Sequence, residues 1–132
     1  MAEKSGAGGD LERVIGDLKA LSTDMKGCAV LSNDGKLLLS SHGPGVERER
    51  ATAMVAALSN LADRNARQNG KEHATQLRVD TPEGHLLMVR LEGGGVLVAT
   101  TEPEARVGLV LYDMRNARSE VEKAVGGEEG TA

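Results

Sequence analysis

An α+β domain with its elements in the order α-β-β-α-β-β-β-α is the fold class this chain predicts, and three observations predict it. Residues 27–40 read GCAVLSNDGKLLLS, two apolar runs joined through Asn33, Asp34 and Gly35. Those residue types tolerate the positive φ that tight hairpin turns need, so the segment reads as a β-hairpin. Helical periodicities flank it, over Leu11–Met25 and Val46–Asn69. Three further strand-like runs and a last helical pattern complete the order. Together they predict a five-stranded antiparallel sheet with helices packed on it.

In the first helix Leu11, Val14, Ile15, Leu18 and Leu21 recur at helical spacing, and Met25 continues the stripe. Asp10 suits an N-cap, and Gly27 suits the stop that opens the hairpin. Gly16 inside the helix weakens it by about 1 kcal/mol relative to Ala, which packing of the stripe must offset. After the hairpin, residues 41–45 (SHGPG) predict a loop. The second helix carries an apolar stripe of Ala51, Met54, Val55, Leu58, Leu61 and Ala62, widened by Ala57 and Ala66. This arc is broader than a helix lying on one sheet requires. The small side chains of Ala53, Ala56 and Ala57 let a second backbone approach, although Ala is also simply a good helix former.

In the next strand, His73–Asp80, Leu77 and Val79 alternate with Gln76, Arg78 and Asp80, so one side of the sheet is wetter. Residues 81–84 (TPEG) form a turn, with Pro preset for its second position and Gly at its fourth. The run from His85 to Glu92 places Leu87, Val89 and Leu91 in register. Gly93-Gly94-Gly95 turns the chain into Val96–Ala99, a continuous apolar run suited to a central strand. Thr101 with Glu104 resembles a capping box, and Pro103 falls in the first turn it would open. Val107, Val110, Leu111, Met114, Ala117, Val121 and Ala124 mark the last helix.

The 132 residues suit one domain, expected over 10–125, with the small, polar, Gly-rich segments 1–9 and 126–132 as disordered tails. Tyr112 is the lone aromatic, so the core is aliphatic and stacking platforms for bases are missing. With a net charge of −4, this disfavours nucleic acid as a partner. Apolar runs fall far short of the roughly 20 residues of a membrane-spanning helix, so no membrane insertion is expected. Cys28 is the only cysteine; with no signal peptide in evidence it favours a reducing, cytoplasmic setting.

The motifs of chemistry are missing. Gly93–Gly95 lacks the Gly-Lys-Ser/Thr of a phosphate loop and precedes a strand where a helix N-terminus would be needed. His42, His73 and His85 have no metal-ligand spacing, although His73 and His85 fall on adjacent strands. Cys28, at an apolar strand position, reads as an inert buried thiol. Asp17, Asp24, Glu47, Glu49 and Asp63 fall where solvated helix faces are expected, and no carboxylate pair stands out as an acid/base dyad. No catalytic residue, cofactor site or metal site is assigned, and the chain does not read as an enzyme.

Taken with the hairpin, the segments ATAMVAALSNLA (51–62) and LLMVRLEGGGVLVATTEPEARVGLVLYDMRNA (86–117) make the chain similar to the roadblock (dynein light chain) family, to which bacterial Mgl-type regulators of small GTPases belong. The resemblance spans Leu11 to Val125. It implies a roadblock, profilin-like fold with the second helix alone on one face, and a dimer in which second helices pack antiparallel and third strands pair edge to edge. Mapped here, it makes Met54, Ala57, Leu61, Thr75, Leu77 and Val79 the dimer-contact candidates. It further implies a non-catalytic platform for a Ras-like small GTPase, acting as a homodimer or as a heterodimer with a related chain. Glu49, Ala53, Ala56, Asn60 and Arg64 are then the candidate docking surface. The alternatives are a structural adaptor without effect on nucleotide turnover and a small-molecule sensory domain.

Overall fold

The computed structural model describes residues 2–41, 46–71 and 74–130. Its elements are α1 (Ala2–Leu21), β1 (Met25–Leu31), β2 (Leu37–Ser40), α2 (Val46–Gln68), β3 (Gln76–Thr81), β4 (Gly84–Arg90), β5 (Val96–Thr101) and α3 (Val107–Gly130). The strands form one sheet in the order β2-β1-β5-β4-β3, every neighbouring pair antiparallel. This is the element order and antiparallel sheet read from the sequence, with the layering that the family resemblance implies.

The apolar run of β5 is explained by its place at the centre of the sheet, covered on both faces and paired on both edges. Alternation along the strands sorts side chains between two cores. Cys28, Val30, Leu87, Val89, Leu97 and Ala99 pack with α1 and α3 on one face. Leu31, Met88, Val96 and Val98 meet Val55 of α2 on the other.

Turn chemistry sets the registers. In the β1–β2 turn Gly35 takes φ +83°, its N–H donates to the Ser32 carbonyl at 3.0 Å, and Ser32 N–H donates to the Lys36 carbonyl at 2.8 Å. The Ser32 hydroxyl also donates to the Asp34 carboxylate, which holds that carboxyl below its ordinary range. In the β3–β4 turn Thr81 pairs with Gly84 across Pro82 and Glu83. Gly84 sits at φ +147°, and a Cβ there would stand 2.0 Å from the Thr101 carbonyl oxygen, so only glycine lets β5 close in.

Four local expectations change. The first helix ends at Leu21, and Met25 is the first residue of β1, opposite Thr101. Ser22, Thr23 and Asp24 make a polar turn that stops the helix ahead of Gly27. The helix backbone also starts at Ala2, before Asp10, and α3 runs to Gly130, past the expected bound at 125. Once a packed helix is nucleated, each added residue contributes a further hydrogen bond, so composition alone is a poor guide to its ends.

The third change is at the start of α3. Thr101 remains in β5, its hydroxyl donating to the Glu102 carbonyl at 2.9 Å, and the helix begins at Val107. The Thr101–Glu104 capping box is therefore not formed, because strand pairing with Met25 and His85 holds Thr101 extended. Asp24 takes over the role, its Oδ2 accepting from the Arg106 N–H and Nε, each at 2.9 Å. Finally, β3 begins at Gln76. His73 and His42, with the rest of the expected 41–45 loop beyond Ser41, lie outside the described residues.

Candidate protein-docking surface

Helix α2 contributes a single buried apolar side chain among the described residues, Val55, with Ser59 buried one turn on. Leu58 and Ala62 are half-buried beside them. The rest of the broad apolar arc turns outward: Met54 is 59% exposed and Leu61 60%, with Ala57 exposed between them. Spacing of three, four and seven residues puts these side chains on one stripe. Stripes of large exposed apolar side chains on a well-packed domain mark surfaces that meet another molecule.

The neighbouring edge of the sheet is also open. β3 is an end strand, paired only with β4. Leu77 and Val79 stand opposite Met88 and Leu86, on the α2 side, and both are half-buried. Thr75, exposed, precedes the strand. Of the six residues expected at a dimer contact, three thus lie on α2, two on the adjoining edge strand and Thr75 just before it.

Of the second group, Glu49, Ala53, Asn60 and Arg64 are exposed and follow one another along α2 at spacings of about four, seven and four residues. They form a largely polar stripe beside Met54, Ala57 and Leu61. Ala56 stands apart. It is half-buried against the α2-side core and approaches the β1–β2 turn, where a Cβ on Gly35 would lie 3.4 Å from its own.

An ion pair not anticipated from the sequence holds α2 in place. Arg90 Nη2 donates to Asp63 Oδ1 at 2.5 Å and to Ser59 Oγ at 2.9 Å, and Nη1 donates to the Gly94 carbonyl at 2.9 Å. Asp63 Oδ1 also accepts from the Ala74 N–H at 3.0 Å. Both charged side chains are largely buried, 11% and 17% exposed. Asp63 is therefore not on a solvated face, as its place on an amphipathic helix suggests, and Asp24 is not on a helix at all. A signal was available, since Arg90 continues the inward alternation of Leu86 and Met88.

Residues weighed for chemistry are engaged otherwise. Cys28 is buried, and burial pushes its thiol up to about 12, which removes the thiolate needed for attack at neutral pH. His85 places Nδ1 2.6 Å from Asp80 Oδ1 and Nε2 3.0 Å from the Pro103 carbonyl. Among the described residues no helix is long and apolar enough to cross a membrane.

A family model for the Roadblock/LC7 domain matches residues 12–101. The chain belongs to the Roadblock/LC7 family. Among solved structures it is similar to MglB of Myxococcus xanthus, with a TM-score of 0.80 at 16% identity over 92% of this chain and 91% of that one. It also resembles the gliding protein MglB of Thermus thermophilus, with a TM-score of 0.78 at 11% identity over 89% and 90% of the two chains. LokiProfilin1, solved in complex with rabbit actin, aligns with a TM-score of 0.61 at 20% identity, covering 86% of this chain and 94% of that one. At such identities the likeness is one of fold, and it establishes the roadblock, profilin-like architecture. No curated protein matches the chain by sequence.

Proposed function

We propose that this protein is a non-catalytic, dimeric platform that binds a Ras-like small GTPase and biases its nucleotide state. The observation that carries this reading is the outward stripe of Met54, Ala57 and Leu61 beside the end strand β3, on a Roadblock/LC7 domain. A second copy, or a related chain, covers that stripe and continues the sheet across Thr75, Leu77 and Val79. Pairing of two β3 edges also removes an exposed template for aggregation. The largely polar stripe of Glu49, Ala53, Asn60 and Arg64, with Ala56 at its inner margin, is then presented at the rim of the dimer, where a globular partner reaches it.

Regulation through such a surface needs no catalytic side chain. A platform that binds one conformation of the partner's switch loops more tightly shifts their population by the difference in affinity. The setting of this reading is cytoplasmic, where such GTPases act.

The test measures GTP hydrolysis and nucleotide exchange of a co-purifying or genomically adjacent GTPase, with and without this protein. Altered rates, abolished together with dimerisation by Leu61→Asp, are the expected result. Binding without any change in either rate would instead favour a structural adaptor. Absence of both binding and rate change rejects the reading.

A further inference from the structure

We propose that the groove between α1 and α3 docks a basic amphipathic helix from a second protein. The groove lies on the face of the sheet opposite α2, so the proposal does not rest on the GTPase reading. The Asp24–Arg106 clasp sets the end of α1 beside the start of α3, and the two helices run antiparallel with an open channel of about 200 Å³ along their outer seam.

Apolar anchors are concentrated there. Leu21 lies on the expected buried stripe of α1 yet is 69% exposed, and it lines the channel with Leu18 and Ala117. Leu109 (44% exposed) and Tyr112 (55%) sit one turn before the channel-lining Asp113 and Asn116 of α3. The chain's single aromatic is therefore exposed on the helix that forms one wall of the channel and not in the core, and tyrosine is a residue type favoured at the centre of protein contacts. Helix seams accept a third helix by ridges-into-grooves packing, and the lining residues from Val14 to Leu21 span about two turns.

Charge selects the occupant. Asp17, Asp113 and Glu120 line the channel against the single cation Arg13. Their own ion pairs are long and exposed: Arg13–Asp17 at 3.8 Å and Lys123–Glu120 at 4.0 Å. Asp113 has no ion pair among the described residues. Lys or Arg flanking an apolar stripe would meet these carboxylates, whereas the outer face of α2, with exposed Arg50, Arg64 and Arg67, repels such a helix.

The experiment uses the full chain and a fluorescein-labelled Lys/Leu amphipathic peptide of about four turns, read by anisotropy, with a Glu/Leu peptide of the same pattern as reference. The Lys/Leu peptide is expected to bind in the micromolar range, severalfold weaker at 300 mM than at 50 mM salt, and the Glu/Leu peptide not to bind. Asp113→Lys with Glu120→Lys is expected to weaken binding about tenfold or more, and Leu21→Ser about fivefold. These side chains are surface groups, so circular dichroism and Tm confirm that the fold is retained. Glu83→Lys with Glu92→Lys makes the same net-charge change outside the groove and is expected to alter binding less than twofold. No binding, or equal loss in both charge variants, overturns the proposal. So does a change in self-association with Leu21→Ser without peptide binding, which assigns the groove to a second copy.

Discussion

The sheet face under α1 and α3 and the face under α2 differ in how far the chain covers them. On the first, α1 contributes Leu11, Val14, Ile15 and Leu18, and α3 contributes seven buried side chains from Val107 to Val125. On the second, Val55 is the one buried apolar side chain of α2 among the described residues, with Ala56 and Leu58 half-buried beside it. The two-helix face is closed by apolar burial, each fully buried Leu or Val contributing about 1.5–3 kcal/mol. The α2 face is held by a polar tie, Arg90 to Asp63 and Ser59, and leaves Met54 and Leu61 outward. A helix held by few apolar contacts keeps its apolar surface available for association, while the opposite face carries the stability of the domain.

The largest expected effects probe what holds each face. Asp63→Ala strands the Arg90 guanidinium in a largely buried site and is expected to cost roughly 3–5 kcal/mol, read by chemical denaturation. Replacing both partners, Asp63→Leu with Arg90→Met, should recover a large part of that loss. If the single and double variants are equally unstable, the tie is not what secures α2. On the closed face, Leu97→Ala is expected to cost about 2–5 kcal/mol, because Leu97 is fully buried at the centre of the sheet. A cost below about 1 kcal/mol would contradict the closure described.

Leu61→Asp separates association from folding. At a site 60% exposed, monomer stability should stay within about 0.5 kcal/mol, while the molecular mass measured by light scattering falls from dimer to monomer. A wild type already monomeric at tens of micromolar would remove the association argument for α2.

The Asp24–Arg106 clasp gives a smaller, pH-dependent effect. The Arg106 guanidinium and N–H hold the Asp24 carboxyl below its ordinary range. With the folded-state pKa depressed, the stabilisation is present above the unfolded value of about 3.9 and is lost as pH falls through the lower folded value. The Tm difference between wild type and Asp24→Asn should thus be constant near neutrality and close below about pH 4. A gap that persists at pH 2 points to the α3 cap alone. The smallest change is expected from trimming to residues 10–125, which keeps the core side chains from Leu11 to Val125 in place and should shift Tm by only a few degrees.

Much of this was readable along the chain. Turn residues of restricted conformational cost (Asn33-Asp34-Gly35, and Pro82 to Gly84) act over four residues, so their hairpins follow from local chemistry. Stripes such as Leu11, Val14, Ile15 and Leu18 repeat with the helix itself. The arc of α2 was broad enough to announce a second surface, and Met54, Ala57 and Leu61 do face outward. Less was readable at segment ends and for polar side chains. The expected capping box failed because strand pairing outcompeted a local cap at Thr101, and Asp63 was misread because its partner lies 27 residues away on another element.

By itself, then, the sequence determined the order of elements, the antiparallel sheet, the aliphatic core and the absence of a recognisable catalytic motif, because each depends on short-range periodicity and turn geometry. Only the tertiary structure decided that Asp24 caps α3, that Arg90 ties down α2, that Leu21 lies exposed at the α1–α3 seam and that Tyr112 is exposed on α3. Those outcomes depend on which elements come to lie side by side, and hydrogen bonds and grooves formed between distant segments leave no period in the chain.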